Sequence, residues 1–140
     1  MRFWDASAVV PLVLNDAADA PAVGADAKSP MVVWWGTVVE VASAIARRER
    51  AGTLSGEQVL RCFDLLQELS AGWLEVLPSD SLRRTAQRLL RVHVLKAADS
   101  LQLAAALAAS ADRSDAVEFF CRDSRLAEAA AREGLRVRAA

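Results

Sequence analysis

The sequence predicts an α/β fold, with a short parallel sheet of about five strands and helices on both faces. Short apolar runs alternate with helical patterns, and no hairpin turn signal joins two neighbouring runs. Strands connected only through helical crossovers pair in parallel and are covered on both sides. At 140 residues, the chain is expected to form one domain over residues 1–140.

Five segments have the pattern of short strands, and they lie at residues 2–4, 30–35, 73–77, 117–121 and 135–138. The last of these alternates and is expected at a sheet edge. Helical patterns cover residues 7–14, 37–50, 55–72, 80–93, 96–110 and 124–133, and residues 15–28 are interpreted as a turn with a short helix. The spacing of Thr37 with Glu40, and of Ser55 with Gln58, predicts two capping boxes. Gly52 and Gly72 are expected to end helices, Gly72 in the left-handed region.

Composition places the chain among globular proteins without an overall charge bias. The formal net charge is −1, so no global field attracts nucleic acid, although a local basic surface still can. Cys62 and Cys121 lack the spacing of a redox or zinc motif, and we expect two buried thiols in a reducing cytosol. The early Asp5 argues against a signal peptide, and no apolar run has the length of a membrane helix. The expected location is cytoplasmic.

Several kinds of catalytic chemistry lack the residues that they need. There is one histidine, His93, so a pair of histidines cannot bind zinc, and its place on the apolar side of a helix indicates a structural role. The sequence has no tyrosine, no Gly-x-Ser-x-Gly motif and no glycine-rich phosphate loop. An enzyme with this sequence must therefore use carboxylates.

Four acidic residues follow strands or begin helices at positions that a parallel sheet brings to one edge: Asp5, Glu40, Asp99 and Asp123. Each has a simpler structural interpretation. Asp5 and Asp123 can cap helices, Glu40 can complete the box with Thr37, and Asp99 can pair with Lys96. Asp99 makes the strongest case for function, because its helix is apolar nearly all round and an unpaired buried carboxylate is costly. Gathered carboxylates would require divalent cations, and oxygen ligands select Mg²⁺ or Mn²⁺ for phosphodiester hydrolysis.

Four short stretches also carry a family resemblance, in order and over most of the chain: Asp5-Ala6-Ser7-Ala8, Thr37-Val38-Val39-Glu40, Ala97-Ala98-Asp99-Ser100-Leu101-Gln102 and Phe120-Cys121-Arg122-Asp123. Together they resemble the PIN-domain ribonucleases, and in particular the VapC-type toxins of bacterial toxin–antitoxin pairs. The resemblance implies a Mg²⁺-dependent endoribonuclease, with Mn²⁺ as a possible substitute, that forms a homodimer and binds a small VapB-like antitoxin. A basic side chain of that antitoxin typically occupies the acidic pocket.

By position, the resemblance assigns the acidic site to Asp5, Glu40, Asp99 and Asp123, with Asp5 and Asp99 as metal ligands. Ser7 and Thr37 match its small hydroxyl positions. The sequence departs from the pattern at Cys121, where the family usually has threonine or serine. A thiol is a poorer hydrogen-bond partner for a metal-bound water, so whether Asp123 is a direct ligand stays open.

Four arginines are candidates for RNA binding: Arg84, Arg88, Arg122 and Arg125. Arg84 and Arg88 share a helix face with Arg91, which is also typical of a solvated arginine face. Arg122 and Arg125 flank Asp123 and are better placed for substrate. Two other functions remain open, namely a non-catalytic scaffold that binds a protein partner, and a metal-dependent nuclease that acts on DNA or flap structures.

Overall fold

A computed structural model describes residues 1–14, 29–111 and 117–139 of the chain. The strands are β1 (Arg2–Trp4), β2 (Met31–Trp34), β3 (Leu74–Val76), β4 (Glu118–Cys121) and β5 (Arg136–Ala139). The helices are α1 (Ala6–Leu14), α2 (Thr37–Arg50), α3 (Gly56–Gly72), α4 (Asp80–Val92), α5 (Ala97–Ser110) and α6 (Ser124–Arg132). The turn and short helix expected within residues 15–28 lie outside the described residues.

The sheet has the strand order β3-β2-β1-β4-β5, and every pair in it is parallel. The predicted α/β class and five-stranded parallel sheet are therefore confirmed, with the last strand at an edge. The chain moves from β1 to β2 on one side and from β4 to β5 on the other. The sheet thus has a switch point between β1 and β4, where ligands of open α/β sheets bind beyond the carboxyl ends of the strands.

Alternate residues of the strands face two separate cores, as a sheet covered on both faces requires. Phe3 and Phe119 stack with their ring centroids 5.7 Å apart and pack under residues of α4, α5 and α6. Trp4 stacks on Phe120 at 4.5 Å, and its core includes residues of α1, α2 and α3. Helices lie on both faces because β1, β2 and β4, the three central strands, contribute apolar side chains to both cores.

The ends of the helices follow the predicted signals in some places and not in others. Ser55 and Gln58 form the expected capping box, with hydrogen bonds of 2.8 and 3.2 Å. The box predicted for Thr37 and Glu40 is wrong: Gly36 occupies the N-cap position and makes no side-chain cap. Gly52 ends α2 at a φ of +72°, whereas Gly72 belongs to α3 and Trp73 continues in extended conformation.

The two cysteines have the buried environment that the sequence predicted, whereas the single histidine lies at the end of α4 beside an acidic residue. Cys62 and Cys121 are buried free thiols. His93 follows α4 and its Nε2 lies 2.8 Å from Glu133 Oε1. None of the helices within the described residues combines the length and apolar character needed to cross a bilayer.

Candidate active site

The first carboxylate of the site follows the central strand. Asp5 continues β1, its amide donating to the Phe120 carbonyl of β4 at 3.0 Å, and the side chain is fixed at the switch point with only 4% of the residue exposed. The Ser7 amide donates to Asp5 Oδ2 at 3.0 Å, and the Ser7 hydroxyl donates to the same oxygen. Ser7 therefore holds the Asp5 carboxylate through its backbone amide and its hydroxyl. Asp5 also caps α1, so its structural interpretation is correct as well.

The second carboxylate is held by a residue that the sequence did not single out. Gln102 of α5 is fully buried, and its Nε2 donates to Glu40 Oε2 at 2.6 Å and to Thr37 Oγ1 at 3.0 Å. Glu40 therefore does not reach back to the Thr37 amide. The Glu40 side chain instead reaches across the interface between α2 and α5 to Gln102. Thr37 is the buried first residue of α2, and its hydroxyl fixes the same amide.

The third carboxylate, Asp99, lies in the first turn of α5. It is half-buried and accepts a hydrogen bond from the Lys96 backbone amide at 3.3 Å. The expectation of a deeply buried carboxylate is wrong, because the first turn of this otherwise apolar helix emerges at the sheet edge. The expected partner is also different, since Lys96 contributes its amide and is not found in a salt bridge with Asp99.

Asp5, Glu40 and Asp99 are close enough to repel one another. Burial raises the pKa of Asp5, with a smaller contribution from the charge of Asp99, although the hydrogen bonds from Ser7 act in the other direction. Burial raises the pKa of Glu40 to about 7, aided by the charges of Asp5 and Asp99 and opposed by the Gln102 hydrogen bond. Three of the four predicted acids thus form one electrostatically coupled group.

The fourth acid joins this group only through Cys121. Asp123 is exposed, and its Oδ1 caps α6 by accepting from the Leu126 amide at 2.9 Å. The Cys121 thiol lies 3.3 Å from the Asp123 carbonyl oxygen and 3.7 Å from Asp5 Oδ2. The thiol therefore contacts the Asp5 carboxylate itself. Asp123 has the structural role that its position allowed.

The Cys121 thiol is suited to packing and weak hydrogen bonding. Burial, followed by repulsion from Asp5, raises its pKa to about 12, so it stays protonated at neutral pH. Ser7 Oγ lies 3.7 Å from the sulfur and also accepts from the Arg122 amide at 2.9 Å. Ser7 and Cys121 together connect the end of β1 to the loop between β4 and α6.

The candidate arginines differ in how free they are to bind a substrate. Arg88 donates two hydrogen bonds to Glu133, of 3.1 and 2.8 Å, so its guanidinium group is largely engaged within the protein. Arg84 and Arg125 are exposed, and neither forms a salt bridge with another described residue. Arg122 is also exposed, beside the site.

The carboxylates of the site fit a hard divalent cation that keeps several water ligands. Among residues 1–14, 29–111 and 117–139, no three histidine, cysteine, aspartate or glutamate side chains are grouped closely enough to hold a metal ion. A cage made only of protein ligands is therefore not a fit. Mg²⁺, however, usually keeps several waters and binds one or two carboxylates. Asp5 and Asp99, whose mutual repulsion a cation would neutralise, fit that mode.

Sequence reasoning missed two functional or organising residues, Gln102 and Glu133. Gln102 carried a signal, since it is a polar residue three positions after Asp99 in an apolar helix and thus on the same face. Its second polar atom, Oε1, is buried without a hydrogen-bond partner in the described part of the chain. Glu133 carried no comparable signal, because its partners Arg88 and His93 come from a distant segment.

Comparisons with known proteins support the fold alone. No protein-family model matches the chain, and no curated protein matches it. The crystal structure of PAE2754 from Pyrobaculum aerophilum is similar, with a TM-score of 0.67 and 15% sequence identity over 97% of this chain and 87% of the other. At that identity the similarity extends to the α/β architecture and not to an activity.

Proposed function

We propose that the protein is a Mg²⁺-dependent endoribonuclease of the PIN type that acts as the toxin of a toxin–antitoxin pair. The observation that carries this proposal is the convergence of Asp5, Glu40 and Asp99 at the carboxyl edge of the parallel sheet, where burial and mutual repulsion raise the pKa values of the first two. Desolvating neighbouring carboxylates costs free energy, and a helix cap does not require that cost. The resemblance of the four sequence stretches supplies the substrate class.

The side chains of the site would divide the work of RNA hydrolysis. Asp5 and Asp99 would hold the cation, which when bound would lower the pKa of a water and neutralise charge on a phosphoryl oxygen. Ser7 and the Cys121 thiol fix the Asp5 carboxylate through Oδ2. Glu40 has a pKa of about 7, which suits a group that accepts a proton from water near neutral pH. Gln102 holds Glu40 Oε2, which leaves the other oxygen of that carboxylate to take the proton.

Cleavage of total cellular RNA by the purified protein tests the proposal. Cleavage should require Mg²⁺ or Mn²⁺, stop with EDTA, and fall by at least a hundredfold in Asp5→Asn, which keeps the shape of the side chain but not its charge. Asp64→Asn, at an exposed position on α3, is the matched control and should cleave normally. Cleavage that survives EDTA or Asp5→Asn would refute the mechanism. Matched single-stranded DNA in parallel reactions separates an RNA enzyme from a nuclease that acts on DNA or flap structures.

A non-catalytic scaffold is the second candidate function, and the caps formed by Asp5 and Asp123 favour it. A scaffold would show no cleavage under any metal condition, and Mg²⁺ would not raise its melting temperature. A metal-dependent rise in melting temperature that disappears in Asp5→Asn would exclude this candidate.

The proposal also includes a homodimer and a small antitoxin that supplies a basic side chain to the acidic group. A positive charge beside Asp5, Glu40 and Asp99 would relieve the same repulsion that a cation relieves. Coexpression with the product of a neighbouring small gene, followed by purification of the complex, tests this part. The complex should lose its Mg²⁺-dependent cleavage, and a complex that cleaves as fast as the free protein would contradict an inhibitory partner.

A further inference from the structure

Two cavities meet on the surface formed by α4, the segment after it, and α6. The first has a volume of about 540 Å³ and is lined by Arg84, Arg88 and Arg91 among others. The second, of about 430 Å³, is lined by Arg125 and Arg132 together with His93. Val92 lines both cavities, so they adjoin. We call the two cavities together the arginine groove.

Three arginines of the groove have no acidic partner in the described part of the chain. Arg88 is bound to Glu133, and Arg132 pairs with Glu128 at 2.6 Å, whereas Arg84, Arg91 and Arg125 form no salt bridge with a described residue. The protein as a whole carries a formal charge of −1. The groove is therefore a local basic surface on a chain without a basic excess, and it would attract a polyanion.

The two helices that carry the groove are joined by a hydrogen-bonded network around Glu133. Glu133 accepts two hydrogen bonds from Arg88 and lies 2.8 Å from His93 Nε2, which ties the end of α4 to the end of α6. The Arg88 hydrogen bonds, with His93 in a smaller role, lower the pKa of Glu133 to about 2. The unpaired arginines are thus carried by two helices that the Arg88–Glu133 ion pair joins, and the lowered pKa of Glu133 keeps this pair ionised at neutral pH.

The arrangement favours an extended ligand. Arg84 and Arg91 are seven residues apart on one helix, which is about 10 Å along its axis, so they would reach different phosphates. Arg125 lies in the second cavity, two residues beyond Asp123 at the edge of the acidic site. Val92 and Val94 are 59% and 81% exposed between these charges. An exposed apolar surface can contact the faces of unstacked bases, which a duplex keeps inside its stack.

We infer that the arginine groove binds the backbone of single-stranded RNA and leads it to the acidic site, with Arg84, Arg91 and Arg125 contacting phosphates. This inference rests on the proposed function for the identity of the ligand. It assigns to the substrate a surface that reaches from α4 to the first turn of α6. Arg88 organises this surface through Glu133 and contributes little direct contact with phosphate.

Binding of a labelled single-stranded oligoribonucleotide, measured by fluorescence anisotropy in EDTA over a range of salt concentrations, tests the inference without cleavage. The variant Arg84→Gln/Arg91→Gln/Arg125→Gln should have a slope of log Kd against log salt that is smaller by about 0.7 for each lost phosphate contact, or about 2 in all. The control Arg47→Gln/Arg50→Gln/Arg61→Gln removes the same charge from exposed positions on α2 and α3, and its slope should match the wild type. Circular dichroism verifies that both variants are folded.

An equal loss of slope in both triple variants, or no loss in either, would overturn the inference. So would equally tight binding of the corresponding RNA duplex, or binding of polyglutamate in place of RNA, which would identify an acidic protein partner. The proposed function fails separately. Arginine-dependent binding without any Mg²⁺-dependent cleavage refutes the nuclease and keeps the groove. Cleavage with binding that is independent of the three arginines refutes the groove and keeps the nuclease.

Discussion

The wild-type protein should lose stability as pH rises from about 4.5 to about 7, and replacing Glu40 by glutamine should make that loss much smaller. The folded protein holds a proton on Glu40 up to a pKa of about 7, compared with an ordinary value of 4.5. In that interval the folded state binds more protons than the unfolded state, so the free energy of unfolding falls with increasing pH. Below pH 4.5 the Glu40 side chain is protonated in both the folded and the unfolded state, so it no longer makes the free energy of unfolding depend on pH.

The size of the effect follows from the two pKa values. Their separation corresponds to about 3 kcal/mol, at about 1.4 kcal/mol for each pH unit. The carboxylate is only half-buried, and water screens part of the cost, so we expect about 1–2 kcal/mol. Glu40→Gln keeps an oxygen that can accept from Gln102 Nε2 and abolishes the ionisation. Asp5 is shifted in the same direction, so some pH dependence should remain in the variant.

Urea denaturation in EDTA at pH 4.5, 6 and 8 measures this difference for the wild type and for Glu40→Gln. The free energy of unfolding of the wild type should decrease across the series by about 1–2 kcal/mol more than that of the variant. Glu57→Gln, at an exposed position in α3, is the control and should follow the wild type. Parallel pH profiles of the wild type and Glu40→Gln would refute the coupling of Glu40 to the buried acidic group.

Three further substitutions test other parts of the structure. Gln102→Leu should cost about 2–3 kcal/mol in urea denaturation, because Glu40 and the buried Thr37 hydroxyl lose their shared donor; an unchanged midpoint would mean that the amide contributes nothing. Glu133→Gln should reduce the loss of stability between about pH 4.5 and pH 2, because the lowered pKa of Glu133 stabilises the folded state above that interval. Acid titration followed by circular dichroism measures this loss, and an acid transition identical to that of the wild type would contradict the prediction. Gly134→Ala should lower stability by about 1–2 kcal/mol, because the φ of Gly134 is +90°. Gly56→Ala, in the first turn of α3 with open space around the new methyl group, should be neutral or stabilising. Equal effects of the two substitutions in calorimetry would contradict the backbone argument.

The sequence predicted those features that local patterns determine. The order of strands and helices, the capping box of Ser55 and the stop at Gly52 each depend on residues close together in the chain. The structure places Asp5, Glu40 and Asp99 within electrostatic range of one another, because parallel strands place their carboxyl ends at one edge. Asp123 is instead exposed, and its side chain caps α6.

The features that the sequence did not predict depend on contacts between distant segments. Asp99 made the strongest case from the sequence because its helix is apolar, yet Asp5 is the more deeply buried of the two. The first turn of α5 opens at the sheet edge, and residue type alone does not locate that edge. Gln102 is 62 residues from Glu40, so nothing in the local pattern of either residue indicates their hydrogen bond.

A capping role and a catalytic role are compatible for the carboxylate at the end of β1. The Ser7 amide, the Ser7 hydroxyl and the Cys121 thiol all converge on Oδ2 of Asp5, and none of these three groups donates a hydrogen bond to Oδ1. An ionised carboxylate has about four lone-pair directions, so a cap uses only part of its capacity. The cap instead fixes the orientation of the remaining oxygen, as a supporting shell does for a metal ligand. What separates Asp5 from an ordinary cap is its repulsion by Asp99, because a helix cap gains nothing from a second acid nearby, whereas a cation site does.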